Sequence, residues 1–384
     1  MNNSYLVTEW TDIVTGAKGY LAIDSIKEGI ACGGIRMKVG VTKEEVQRLA
    51  KTMTIKMSGL GFEAGGGKAG IDYSPNASDS KEVLARFLEA HKPFLLHTWI
   101  TGEDMGTRED DILGILYDMG LNSPIDAFLN KQTNKVDINN RLKEALNLKI
   151  DGIPITDLVT GYGVATSALQ YIESIGEESQ NITASIQGFG SVGASSAKYL
   201  ATVGVKILSV ADIIGTIYCS EGLDIDLLFQ AKDSKGNIDR TKLPNHYQQK
   251  SSAFWMENPV DILIPAAIAD AITMDNVHNV NVRVIVEGAN IPVTPEAEKF
   301  LFDKGIHTIP DFIANSGGAG LYGGIMYKNI PSLPESIFSY LFKQLSETTN
   351  KLLKFAAENG GSLRDAAYLI VQNEAAQNKK ESLS

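Results

Sequence analysis

Two groups of residues in this sequence are of a type and spacing that could do chemistry. The first is Gly188-Phe189-Gly190-Ser191-Val192-Gly193, a G-x-G-x-x-G run. After a strand and at the start of a helix, such glycines give a tight turn, let backbone N–H groups approach a pyrophosphate, and allow close helix packing. Asp212 stands about 20 residues further on, where a carboxylate accepts hydrogen bonds from an adenosine ribose and repels a 2′-phosphate. Ile213 and Ile214 offer no cation for that phosphate, so NAD is expected over NADP. The plainer role for Asp212 is a helix or turn cap.

The second group is Lys56 in Met53-Thr54-Ile55-Lys56, Lys68 in Gly65-Gly66-Gly67-Lys68-Ala69-Gly70, and Asp104 in Thr101-Gly102-Glu103-Asp104-Met105-Gly106-Thr107. Glycines around a lysine let backbone wrap closely on a ligand, and a lysine in a closed, partly dry site can act as acid or base. One carboxylate of the Asp104 loop could face the same site. Each also has a plainer reading: Lys56 as a solvated helix lysine, Lys68 in a phosphate loop lacking the Walker pattern, Asp104 as turn chemistry. Glu287-Gly288-Ala289-Asn290 and Asn315-Ser316-Gly317-Gly318 are placed to line a cofactor crevice.

These residues need elements to position them. Over 4–30 the pattern is short and strand-like, and a small sheet is expected. Val46, Leu49, Ala50, Met53 and Met57 recur at helical spacing, and Thr42 with Glu45 resembles a capping box, so 42–58 is a helix. A second helix is expected over 81–91 and a short apolar run, ending at a site-bearing loop, over 93–100. After Pro154 the expected order is helix to 175, strand 182–187, helix 195–203 and strand 205–212. Further strands are expected at 261–265, 282–287 and 305–310. Strands alternating with helices imply a parallel, doubly wound sheet. The last segment reads as two helices separated by Gly360-Gly361, with Ser362 as N-cap and Asp365 three positions on, and a polar, frayed end over 377–384.

The 384 residues suit two or three domains, and 43% hydrophobic with 21% charged residues is a globular balance. A net charge of −11 repels nucleic acid and anionic membranes. Cys32 and Cys219 make neither a disulfide framework nor a metal knuckle, so no metal is expected. With no secretory leader and no apolar stretch of membrane-spanning length, the expected location is the cytoplasm.

Over most of its length the sequence resembles the glutamate, leucine, phenylalanine and valine dehydrogenase family. The resemblance is carried by Gly33-Gly34-Ile35-Arg36, the run ending at Lys56, the glycine-rich loop of Lys68, the Asp104 loop, Thr160-Gly161-Tyr162-Gly163-Val164, the dinucleotide fingerprint, 287–290 and 315–318, all in the family's order. It implies a two-domain α/β fold. Residues 1–150 would bind substrate and build a homo-oligomer, and 151–330 would form a Rossmann domain. The C-terminal helices, 331–384, would return to the first domain, and a cleft between the domains would close for reaction. Lys56 would hold the substrate α-carboxylate, with Cys32, Gly33, Gly34 and Asn315 also in substrate binding. Lys68 would assist water attack on an imine, and Asp104 would move protons to and from the substrate amine. Gly188, Gly190, Ser191, Val192, Gly193, Asp212, Thr160, Ala266 and Asn290 would bind the cofactor.

Two departures bear on substrate. Glutamate-type members carry a lysine where this chain has Cys32, and a serine expected near Tyr322 is replaced by the glycine-containing stretch 319–324. The resemblance therefore implies oxidative deamination of a neutral L-amino acid to a 2-oxo acid and ammonia, since a neutral pocket leaves no charge unpaired. The alternatives are glutamate or an unusual biosynthetic amino acid as substrate, or a non-catalytic nucleotide-binding homologue.

Overall fold

A computed structural model describes residues 4–233 and 236–371. Contacts divide the chain into two units, Met1–Lys143 and Glu144–Ser384. The division falls inside a helix, a few residues before the composition shift at Pro154 that set the expected boundary.

The first unit comprises β1 (Leu6–Thr11), β2 (Lys18–Ile23), β3 (Ala31–Cys32), β4 (Ile35–Met37), α1 (Lys43–Gly59), β5 (Gly65–Asp72), α2 (Ser80–Ala90), α3 (Lys92–His97), β6 (Trp99–Ile100), α4 (Glu109–Asp118), α5 (Asp126–Leu129) and most of α6 (Lys135–Leu146). Its sheet runs β1-β2-β5-β3-β6, with β4 also paired to β5. The Thr42 hydroxyl caps α1 by accepting from the Glu45 N–H. Leu21, Ile35, Ile71, Phe87, Leu88 and Trp99 are among the buried side chains of its core.

Two expectations are corrected here. The glycine-rich segment around Lys68 is no loop but the central strand β5, buried from Gly65 to Ile71. Glycine is a poor strand former, yet β2 pairs along one edge and β3 and β4 along the other, and α1 lies directly on the backbone. A Cβ on Gly66 would stand 2.2 Å from both the Ala50 carbonyl oxygen and the Thr54 nitrogen. The run over 93–100 is mainly α3, with two residues left for β6; Pro93 favours the first turn of a helix.

The second unit continues with β7 (Lys149–Ile150), β8 (Ile153–Pro154), α7 (Ile155–Ser174), β9 (Thr183–Gln187), α8 (Ser191–Thr202), β10 (Lys206–Ala211), β11 (Thr216–Tyr218), α9 (Ile225–Ala231), β12 (Gln248–Lys250), α10 (Phe254–Glu257), β13 (Ile262–Pro265), β14 (Val284–Val286), α11 (Pro295–Asp303), β15 (His307–Ile309), α12 (Asp311–Ala314), α13 (Gly317–Tyr327) and α14 (Pro334–Asn359). The sheet order is β12-β11-β10-β9-β13-β14-β15. From β10 to β15 the strands are parallel, as expected. The short antiparallel β11 and β12 extend one edge and were not foreseen. Chain order reverses between β9 and β13, which creates a crevice outside their carboxyl ends, at Gly188 and Ala266.

Small residues make α7 the centre of the helical packing. A Cβ on Gly161 would stand 1.9 Å from Ser195 Oγ of α8, and one on Gly163 would stand 2.8 Å from the Ala314 carbonyl oxygen. Expected to return to the first domain, α14 is seated on α7 by Ile337, Leu341, Leu345 and Leu352 and by a Ser167–Thr349 hydroxyl contact of 3.2 Å. Gly360 and Gly361, both at positive φ, end α14, and Ser362 caps the helix that follows. The polar end over 377–384 lies outside the described residues. Among the described residues no helix is long and apolar enough to cross a membrane, and no cluster of His, Cys, Asp and Glu could hold a metal.

Candidate active site

In the first unit, β5 places Lys68 at the centre of the sheet, 5% exposed. Its Nζ lies 3.2 Å from Asp104 Oδ1. Asp104 Oδ2 accepts from Arg36 Nε at 2.7 Å, and Arg36 Nη1 donates to Glu45 Oε1 at 2.9 Å. Lys38 completes a ladder of alternating charge by donating to the same Glu45 oxygen. Burial pushes the Asp104 carboxyl up, but Lys68 and Arg36 outweigh it and hold the group at about 2, so it is ionised.

The loop that carries Asp104 is fixed at both ends. The Asp104 N–H donates to Thr107 Oγ1, whose hydroxyl donates to the Ile35 carbonyl at 2.8 Å. Gly106 turns the chain at φ +80, where an added Cβ would stand 1.8 Å from the Met37 carbonyl oxygen.

Cys32, at the end of β3, lies within electrostatic reach of Lys56 and Lys68. Burial pushes its thiol up to about 12 against the pull of both lysines, so it is neutral. A Cβ on Gly33 would stand 1.7 Å from the Gly67 carbonyl oxygen, and one on Gly34 would stand 2.4 Å from that of Glu103. These two glycines let β5, the Cys32 strand and the Asp104 loop meet. The structure thus brings Cys32, Gly33, Gly34, Lys56, Lys68 and Asp104 together, and it adds Arg36 and Glu45. The Gly-Gly-Ile-Arg motif contained the signal for Arg36; nothing marked Glu45 beyond the cap it does not reciprocate.

In the second unit, Gly188 turns at φ +89 and a Cβ on Gly193 would strike the Gly188 carbonyl oxygen at 2.0 Å. A Cβ on Gly190 would meet nothing within 4 Å, and no side chain caps the N-terminus of α8. Open space beside uncapped first-turn amides fits a pyrophosphate on Ser191, Val192 and Gly193. Ala266 donates its N–H to the Gln187 carbonyl beside this turn. Thr160 packs near Gly317 and Gly318, and Asn315 Nδ2 donates to Asn290 Oδ1 at 3.0 Å.

Asp212 departs from its expected surroundings. Its carboxylate accepts from the N–H groups of Ile214, Gly215 and Ile238 and forms a two-pronged ion pair with Arg240. Burial raises its pKa, and these partners more than reverse the effect. The cation that the residues next to Asp212 do not supply therefore arrives from further along the chain, already paired. To accept from a ribose, Asp212 would have to share its oxygens with Arg240.

Comparison with known proteins fits both halves of this arrangement. The family model for Glutamate/Leucine/Phenylalanine/Valine dehydrogenase matches residues 152–382, and that for the Glu/Leu/Phe/Val dehydrogenase dimerisation domain matches 5–119. The chain belongs to the Glu/Leu/Phe/Val dehydrogenase family. Among relatives, it is 33% identical over 358 residues to a glutamate dehydrogenase of Aeropyrum pernix, covering 88% of this chain and 80% of the relative. To an NAD-specific glutamate dehydrogenase of Staphylococcus aureus it is 32% identical over 360 residues, covering 92% and 83%. Among solved folds, it resembles a hetero-hexameric glutamate dehydrogenase from Thermus thermophilus in a Leu-bound form, with TM-score 0.75, 22% identity and coverage of 97% and 88%. An L-tryptophan dehydrogenase from Nostoc punctiforme gives TM-score 0.66 at 20% identity, covering 98% and 96%. The two-domain α/β fold is that of the Glu/Leu/Phe/Val dehydrogenase family.

Proposed function

We propose that this chain catalyses the NAD-dependent, reversible oxidative deamination of an L-amino acid to its 2-oxo acid and ammonia. The observation that carries the reading is the Lys68–Asp104 pair, 3.2 Å apart and nearly closed to water, with Lys56 close by. When bound, NAD accepts the hydride from the substrate Cα. Lys56 pairs with the α-carboxylate, and ionised Asp104 takes a proton from the substrate ammonium. The Lys68 ammonium stabilises the oxygen of the water that adds to the imine carbon, after which the C–N bond breaks and ammonia leaves. The uncapped N-terminus of α8 receives the pyrophosphate. The match of 5–119 to a dimerisation domain supports a homo-oligomer.

For the side chain, the relatives named glutamate dehydrogenase support glutamate over the neutral residue expected from the sequence. One observation favours the neutral reading: the Cys32 thiol, uncharged at neutral pH, gives a second carboxylate no cation. NADH oxidation with ammonia and a panel of 2-oxoglutarate, 4-methyl-2-oxopentanoate, 3-methyl-2-oxobutanoate, phenylpyruvate and indolepyruvate decides between them. Turnover of 2-oxoglutarate alone establishes the glutamate reading, and turnover of one neutral acid the other. Silence across the panel overturns the reading of the site.

A further inference from the structure

Asn290 and Asn315 sit on two turns of the second unit that side chains tie together. Asn315 Nδ2 donates to the Gly288 carbonyl at 3.3 Å and to Asn290 Oδ1 at 3.0 Å. Glu287 Oε2 accepts from the Asp311 N–H at 2.8 Å, and Asp311 Oδ2 accepts from the Ile291 N–H at 3.0 Å. Ile291, a β-branched residue, is held at φ +51, a strained conformation that persists only where its surroundings impose it.

This network converges on one cation from the C-terminal segment. Arg364 Nη2 donates to Glu287 Oε2 at 2.7 Å, Nε to Glu298 Oε2 at 2.6 Å, and Nη1 to Asp311 Oδ1 at 3.4 Å. Its guanidinium also lies over the Phe312 ring. Glu287 is 0% exposed, and Glu298 and Asp311 are buried. Three buried carboxylates need such a fork of donors, which a lysine cannot reproduce. Arg364 arrives there because the chain leaves α14 through two glycines at φ +71 and +90 and restarts as a helix at the Ser362 cap. The mechanism proposed above makes no use of this group.

We infer that Arg364 is a positioning residue for the reaction: through Glu287 and Asp311 it fixes the two turns that present Asn290 and Asn315 to the nicotinamide end of the cofactor. The inference rests on the dehydrogenase reading and extends the machinery into the C-terminal segment.

The test is Arg364→Gln in the full chain, with Lys299→Ala, which removes an exposed ion pair in the same unit, as control. Loss of a charged donor to two turns predicts a KM for NADH raised about tenfold. The isotope effect on kcat from NADH deuterated at the transferred position should rise. Amide exchange at Ile291 and Asp311 should accelerate while exchange in β13 does not. Arg364→Lys, which keeps the charge but reaches fewer carboxylates, should fall between, and it carries the same readouts if Arg364→Gln fails to fold. Unchanged KM, isotope effect and Ile291 exchange in the folded variant would overturn the inference. If the wild type binds NADH but turns over no 2-oxo acid, the dehydrogenase reading fails; NADH affinity and Ile291 exchange then still judge Arg364.

Discussion

Replacing Asp104 by asparagine preserves shape and removes one charge from the middle of the Lys68–Asp104–Arg36–Glu45 ladder. In the wild type the carboxyl is held at about 2 against an ordinary 3.8, which favours the folded, ionised form by about 2.5 kcal/mol at neutral pH. Because the folded-state value is the lower one, that contribution is complete above pH 4 and is lost as pH falls through about 2. Asp104→Asn leaves Lys68 without its 3.2 Å partner, while the amide oxygen still accepts from Arg36, so the expected loss at pH 7 is about 2–3 kcal/mol. The variant should lack the corresponding part of the acid limb. Urea unfolding followed by tryptophan fluorescence at pH 7 and pH 3, at fixed protein concentration and without cofactor, measures both effects. On the same protein, kcat should fall by about 10²- to 10⁴-fold, since the proton acceptor is gone. A variant as stable as the wild type at pH 7, with the same acid dependence, would refute the buried-charge reasoning. A kcat within threefold would refute the catalytic assignment.

Lys68→Ala should remove most of kcat, about 10²-fold or more, while NADH binding by fluorescence titration survives; near-normal turnover would sink the assignment of Lys68. Cys32→Lys should shift kcat/KM toward 2-oxoglutarate relative to neutral 2-oxo acids by about 10- to 100-fold, and an unchanged ratio would mean that Cys32 does not face the substrate side chain. Gly190→Ala should melt with the wild type, because its Cβ enters open space, yet bind NADH about tenfold more weakly. Wild-type affinity in that variant would move the pyrophosphate away from the α8 turn.

The dinucleotide turn was legible in the sequence because its signal is local: three glycines between an apolar strand and a helix, with Asp212 at the expected spacing. Lys56, Lys68 and Asp104 were legible through the order of several short motifs. The strand character of β5 was not, because it depends on partners in β2, β3 and β4, and no local preference of glycine indicates it. The 93–100 run was ambiguous for another reason: a short apolar stretch suits a buried strand or a buried helix equally. Arg240 and Arg364 reach Asp212 and Glu287 across intervening elements, and long-range ion pairs leave no periodicity to read. The edge strands β11 and β12 are too short and polar to show alternation.

The contact between α1 and the glycines of β5 has a consequence for motion. Backbone rests on backbone there, with no side chain between them to change rotamer, so picosecond-to-nanosecond side-chain hopping cannot alter the separation of helix and strand. Only slower, collective displacement of the whole helix can do so. Lys56 rides on α1 and Lys68 on β5, so the interval between their backbones acts as a fixed gauge during each encounter with a ligand. Adjustment to molecules of different size is left to the side chains themselves and to the Asp104 loop.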